Sequence, residues 1–181
     1  MNRSTSDIAL RLLIVPGLHG SGPGHWQTWL QQSDRASRRV EQLNWAEPDL
    51  DAWAARIDDT IAAEPSGRWI AVAHSFGCLA VLRHLQLRGV GAIASAILAA
   101  PADPRRFGVE ERLHRRSPLR DTLIVGSRND PWLDFDAARA WAACWDVALL
   151  DGGELGHINP ASGFGPWPTA VRLVEQRRQR F

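Results

Sequence analysis

The chain has 181 residues, of which 45% are hydrophobic and 23% charged, and its formal net charge is +1. A chain of this length can bury a full core without disulfide or metal staples. Near-zero net charge excludes any whole-molecule electrostatic case for nucleic acid or a membrane surface as partner. The length is that of one domain spanning residues 1–181. All 21 basic residues are arginine, spread along the whole chain. Two cysteines, Cys78 and Cys144, sit among apolar neighbours without metal-ligand spacing and read as buried free thiols, which fits a reducing cytoplasm. No signal peptide is visible, and the apolar stretch Gly89 to Ala102 is too short to span a bilayer.

Taken in order, residues 1–7 are polar and read as frayed. Leu10 to Val15 is the first strand, ended by Pro16-Gly17, and a loop with Gly20, Gly22 and Gly24 leads to a helix from about His25 to Gln32. A short strand is expected over Arg39 to Leu43. Asp49 is placed to cap a helix running to about Ala63, in which Leu50, Trp53, Ala54, Ile57 and Ile61 form one apolar stripe. After the turn Pro65-Ser66-Gly67 come the buried strand Trp69 to Val72 and the helix Cys78 to Leu85. Ala92 to Ala99 is a further buried strand. Residues 101–119, rich in Pro and Arg, read as a long loop with room for a short helix. Thr122 to Gly126 (strand), Asp134 to Trp145 (helix), Val147 to Leu150 (strand) and Trp167 to Arg178 (helix) complete the chain. Alternation of this kind predicts an α/β fold with a mostly parallel sheet and helices on both faces.

The junction Ala73-His74-Ser75-Phe76-Gly77 carries the chemistry. A serine between a buried strand and a helix describes a nucleophile elbow, a turn so tight that the residues two before and two after must be small. Gly77 meets that demand, and Ala73 adds one methyl where glycine is usual. A serine hydroxyl needs a base, and the base needs an orienting group. Asp130, in Ser127-Arg128-Asn129-Asp130-Pro131, and His157, in Gly156-His157-Ile158-Asn159-Pro160, each follow a different predicted strand. The order Ser, Asp, His matches the α/β-hydrolase arrangement. Taken singly, Asp130 also reads as a turn or cap aspartate and His157 as a structural loop histidine. Together they make a catalytic triad of Ser75, Asp130 and His157.

Acyl transfer also needs donors for the developing oxyanion. The backbone N–H of Phe76 is one, and the loop Pro16-Gly17-Leu18-His19-Gly20 supplies the other through Leu18, with the His19 N–H as the near alternative. His74 reads as packing or support for its neighbours rather than as the base. His19, Trp26, Trp132 and Phe164 are candidate pocket residues. For Trp26, Trp132 and Trp167 the competing reading is that they cover the sheet, while Trp53, Trp141 and Trp145 have core spacing. The cluster Arg105, Arg106, Arg112, Arg115, Arg116 and Arg120 reads as a solvated loop face or as a patch for an anionic partner.

These stretches, with Ile14-Val15-Pro16-Gly17, His25-Trp26 and the long run Gly156 to Pro168, make the chain resemble the family of small α/β-hydrolase serine hydrolases that contains retinoblastoma-binding protein nine and its bacterial relatives, described as esterases. The resemblance covers nearly all residues from Leu12 onward and departs from the family mainly at Ala73. It implies a compact three-layer α/β-hydrolase-like sandwich with little or no cap and its triad on Ser75, Asp130 and His157.

The expected activity is cleavage of small acyl esters, with amides and thioesters open to the same residues. A small acyl compound is the expected partner, without nucleic acid, membrane, metal or cofactor. Two alternatives use the same scaffold: a protein-interaction module with a vestigial triad, and an acyltransferase that passes the acyl group to an acceptor other than water.

Overall fold

A computed structural model describes residues 10–113 and 115–181; the expectation for residues 1–7 lies outside them. Six parallel strands form one sheet: β1 (Leu10–Val15), β2 (Arg38–Arg39), β3 (Arg68–Ser75), β4 (Ile93–Pro101), β5 (Thr122–Gly126) and β6 (Ala148–Asp151). Their order across the sheet is β2-β1-β3-β4-β5-β6. The helices are α1 (Trp26–Ser33), α2 (Leu50–Ala62), α3 (Phe76–Arg88), α4 (Glu110–Leu113), α5 (Phe135–Trp145) and α6 (Pro168–Arg178).

The period of two along a strand divides the core between the faces of the sheet. Leu13 and Val15 of β1 point to the face covered by α2, α3 and α5, and join Trp53, Leu79, Leu82 and Trp145. Leu12 and Ile14 point to the opposite face and join Trp26, Leu30, Leu173 and Val174 of α1 and α6. Strands apolar on both sides suit a parallel sheet covered twice. Helix α3 is buried nearly all round from Phe76 to Leu85, with only Arg83 reaching partial exposure. Such a helix cannot show an amphipathic stripe, since it is packed on the sheet by one side and on α2 by another.

Most boundaries agree with the sequence reading to within a few residues. Asp49 caps α2 through hydrogen bonds from the N–H groups of Asp51 and Ala52, and Asp134 caps α5 through the N–H of Ala137. The second strand differs. Only Arg38 and Arg39 pair in the ladder, the Val40 N–H still reaches the Ile14 carbonyl at 2.9 Å, and Leu43 is 90% exposed. An edge strand has one neighbour to hold it. Once Val40 has been buried, the turn closed by Asn44 Oδ1 on the Ala46 N–H ends it. The described residues of 101–120 carry two short helical segments, a 3-10 turn at Pro104–Phe107 and α4. Cys78 is buried and Cys144 only partly so.

The topology singles out one place on the sheet. From β1 the chain moves one way to β2 and then returns past β1 to β3. Loops leaving β1 and β3 therefore diverge and open a crevice at the carboxyl ends of those strands, where ligands bind in open α/β sheets.

Candidate active site

Ser75 stands at the end of β3 with φ 54° and ψ −126°, and α3 begins at the next residue. Positive φ on a serine is strained backbone, kept only where the surroundings enforce it. The surroundings here are tight. A Cβ on Gly77 would lie 2.4 Å from the Pro16 carbonyl oxygen, and a Cβ on Gly17 would lie 2.7 Å from Ser75 Cβ. Glycine at both positions lets the β1 loop and the elbow touch. Ala73 lies within β3, paired with Val15 and Leu98 and fully buried, so its methyl is absorbed in the sheet.

His157 comes to Ser75 from the loop after β6, with Nε2 3.0 Å from Ser75 Oγ. Its Nδ1 lies 2.9 and 3.0 Å from the two carboxylate oxygens of Asp130, on the loop after β5. The Asp130 carboxylate also accepts the Trp132 N–H at 2.9 Å. An ionised aspartate can only accept, so Nδ1 carries the imidazole proton and Nε2 offers its lone pair to the serine hydroxyl. Asp130 and His157 are both nearly inaccessible to solvent, at 8% and 6% exposure. Their interaction is therefore little screened by salt.

Two loops must hold position for this contact, and they are tied together. The Gly152 N–H reaches the Gly126 carbonyl at 2.9 Å and the Arg128 N–H the Gly153 carbonyl at 2.7 Å. Asn129 Oδ1 accepts the Gly156 N–H at 2.6 Å and the Ser127 hydroxyl at 2.9 Å, while Ser127 Oγ accepts the Leu155 N–H. Two carbonyls beside the imidazole are also clamped. The Trp26 indole N–H donates to the Ile158 carbonyl and the His74 ring Nε2–H to the His157 carbonyl, each at 2.8 Å. A buried carbonyl left without its donor costs about 1–3 kcal/mol, so both clamps resist displacement of the histidine loop. Ile158 itself has φ 45°, a conformation that such clamping has to maintain.

Among the candidate oxyanion donors, Phe76 is the first residue of α3, where N–H groups have no partner within the helix. The His19 N–H is taken by the Trp45 carbonyl at 2.9 Å. That leaves Leu18, whose residue lines the cavity in front of Ser75.

The cavity holds about 440 Å³, and its lining includes Leu18, His19, His25, Phe107, Trp132 and Asn159 around Ser75 and His157. Of the four candidate pocket residues, His19 and Trp132 lie on this wall and Trp26 and Phe164 do not. Trp26 is fully buried behind the His157 loop, edge-on to Trp167 at 4.9 Å. Phe164 packs edge-on to Trp167 at 6.3 Å. Both serve the face covered by α1 and α6, since the sheet there demands large apolar side chains. Phe107 has no signal in the sequence: it is a lone aromatic in an arginine-rich loop, and nothing local shows that this loop turns toward the site.

Three histidines meet at the site, and burial separates their roles. Burial lowers the His25 pKa to about 4, helped by the nearby Arg39 and His157. Burial likewise holds His74 well below the usual histidine value, with His25 and His157 adding to the effect. Both stay neutral at pH 7 and cannot add positive charge beside His157. His25 spends its Nδ1 lone pair on the Gln27 N–H, capping α1.

An acid-stability prediction follows from the sign of these shifts. In the unfolded chain both histidines take up protons near pH 6.5, whereas folded His25 does so only near 4. The stabilisation is complete above about pH 6.5 and is lost as pH falls toward 4, at about 1.4 kcal/mol per pH unit for each histidine. The thermal midpoint should therefore drop between pH 7 and pH 4.5. His25→Asn keeps a capping side chain and removes the proton site, so its midpoint should fall less steeply across the same range. An identical slope in the variant would show that His25 does not carry the effect.

Cys78 is no rival nucleophile. Burial pushes its thiol well above the usual cysteine value, and Sγ lies against the Ala99 carbonyl at 3.5 Å. Among the described residues no group of three or more His, Cys, Asp or Glu side chains is arranged to hold a metal ion, and no helix is long and apolar enough to cross a membrane.

A parallel sheet with a serine on a strained strand-to-helix turn, at the switch point of the topology, defines the α/β-hydrolase class. Residues 12–176 match the family described as serine hydrolase, and the chain belongs to that family of hydrolytic enzymes. The YdeN protein of Bacillus subtilis strain 168, named as a candidate hydrolase, is 24% identical over 179 residues, covering 91% of this chain and 94% of YdeN. A YdeN-like candidate hydrolase from Pectobacterium atrosepticum has a crystal structure that superposes with a TM-score of 0.88 at 35% identity, over 94% of this chain and 91% of that one. Est1E from Butyrivibrio proteoclasticus, solved with ferulic acid, shares the fold at a TM-score of 0.69 and 12% identity, over 98% and 92% of the two chains.

Proposed function

We propose that this protein cleaves small acyl esters through a covalent acyl-enzyme, with Ser75 as nucleophile, His157 as general base and acid, and Asp130 as the orienting carboxylate. One observation carries the proposal: Ser75 Oγ, on a positive-φ elbow, lies 3.0 Å from His157 Nε2 while Nδ1 is held on Asp130. Membership of the serine hydrolase family supports it.

In the first step Oγ attacks the ester carbonyl carbon and its proton passes to His157 Nε2. The carbonyl oxygen, now carrying the negative charge, is received by the N–H groups of Phe76 and Leu18. Collapse of this intermediate breaks the bond to the alcohol oxygen, which takes the proton from Nε2 and leaves. Water, deprotonated by the same nitrogen, then attacks the acyl carbon, and Oγ departs with the proton. Preorganised donors of this kind supply a large share of such rate enhancements, about 3–4 kcal/mol for one oxyanion donor.

A fluorophosphonate probe tests the covalent step. A single adduct on the peptide containing Ser75, found by mass spectrometry, is expected. A folded protein that remains unlabelled would remove the nucleophile from the proposal.

The cavity also sets an expectation for substrate size. About 440 Å³ suits a small ligand. The connection after β4 folds into short helical turns and gives Phe107 to the wall; it does not lay an apolar helix over the site. Soluble acetyl to butyryl esters should be turned over faster than emulsified dodecanoyl esters, without activation at the interface. Preference for the emulsion would mean that residues 101–120 act as a lid.

A further inference from the structure

The arginines between Arg105 and Arg116 differ once their partners are known. Arg105 is bound on two nitrogens to the Asp103 carboxylate. Arg112 reaches Asp51, and Arg116 lies 3.6 Å from Asp146. Arg106 forms no ion pair among the described residues. Its guanidinium carbon instead lies 5.5 Å from the ring centroid of Trp132, and Trp132 is on the cavity wall beside Ser75 and His157. Phe107, next in the chain, is on that wall too.

Among the described residues neither aspartate nor glutamate lines the cavity; Arg106 is not in the lining itself and meets the cavity through Trp132. The ring attracts the guanidinium without taking up its N–H donors. They stay free for a planar two-oxygen acceptor, which arginine binds through two parallel hydrogen bonds. The indole also restricts a side chain that would otherwise lose much rotamer entropy on binding. Trp132 is 46% exposed, which leaves the pair open to an incoming molecule.

We propose that Arg106 is a specificity-determining residue for an ester that bears a carboxylate, held at the Trp132 side of the cavity while its ester carbonyl meets Ser75. This rests on the hydrolase reading of Ser75 given above. It narrows the substrate class from small acyl esters to anionic ones.

The test compares substrates of equal shape and different charge. Monoethyl glutarate is set against its primary-amide counterpart, which has the same length and no charge. Acetyl esters of 3-hydroxypropanoate and of its amide form a second pair, with the carboxylate on the alcohol side. The expected result is a kcat/KM about tenfold higher for the anionic member of at least one pair. The preference should shrink as salt is raised. Arg106→Gln should abolish the preference by bringing the anionic kcat/KM down to that of the neutral member.

Turnover of the neutral esters, and its loss in Ser75→Ala, reports the hydrolase reading separately. If both members of a pair turn over too slowly to rank, protection of Ser75 from a fluorophosphonate by glutaramate against glutaramide ranks the same two charges. Equal treatment of anionic and neutral members in both pairs, or a preference that survives Arg106→Gln, would overturn the proposal.

Discussion

Ser75→Ala should lower kcat for short acyl esters by roughly 10⁴-fold or more and abolish fluorophosphonate labelling, with thermal unfolding little changed. Removal of the attacking oxygen leaves only the oxyanion donors and binding, which alone supply a small residue of the rate in enzymes of this type. The fold should tolerate the change. Strain at the elbow resides in the backbone, held by the approach of Gly17 and Gly77 to their neighbours, and alanine keeps the Cβ that serine already has there. The side chain contributes one structural contact, to His157 Nε2. The assay needs a stopped-flow or discontinuous ester measurement together with a melting curve. Substantial turnover by a folded Ser75→Ala protein would exclude the acyl-enzyme route.

The second large effect is expected from Asp130→Asn: a fall in kcat of about a thousandfold, with KM nearly unchanged. Asparagine has nearly the shape of aspartate, so its carbonyl oxygen can still accept the Trp132 N–H. Its amide group then faces His157 Nδ1 and donates to it. That hydrogen bond requires a lone pair on Nδ1 and moves the proton to Nε2, where it points at Ser75 and blocks uptake of the hydroxyl proton. The same substitution removes the negative charge that stabilises the imidazolium formed during attack. A purely structural role for Asp130 predicts a lowered melting temperature with kcat retained in the surviving folded fraction. Burst kinetics with an activated ester would separate the two, because the tautomer effect slows acylation itself.

Much of the fold was legible because it rests on local patterns. Runs such as Leu12 to Val15 and Trp69 to Val72 are too apolar for a half-exposed strand, and Asp49 and Asp134 stand where a helix needs a cap. The elbow was legible for a similar reason, since a serine between a buried strand and a helix, followed by Gly77, is a contiguous signal. Arg39 to Leu43 was less so. The length of an edge strand depends on what lies beside it, and only the assembled sheet shows that Leu43 has nothing to pack against.

By itself, the sequence determined the alternation of strand and helix, the family resemblance, and the chain order of Ser75, Asp130 and His157, each after a strand. Parallel strands put all such loops at one edge, so even the neighbourhood of the three residues followed from pattern alone. Tertiary structure decided what depends on distance and partner. It tied up the His19 N–H on Trp45 and left Leu18 facing the cavity. It turned His74 and Trp26 into clamps on adjacent carbonyls. It paired Arg105, Arg112 and Arg116 with acids and set Arg106 over Trp132. A run of arginines carries the same charges whichever way it folds. Which of them is neutralised, and which is set over an aromatic ring, depends on separations of a few ångströms between residues far apart in the chain.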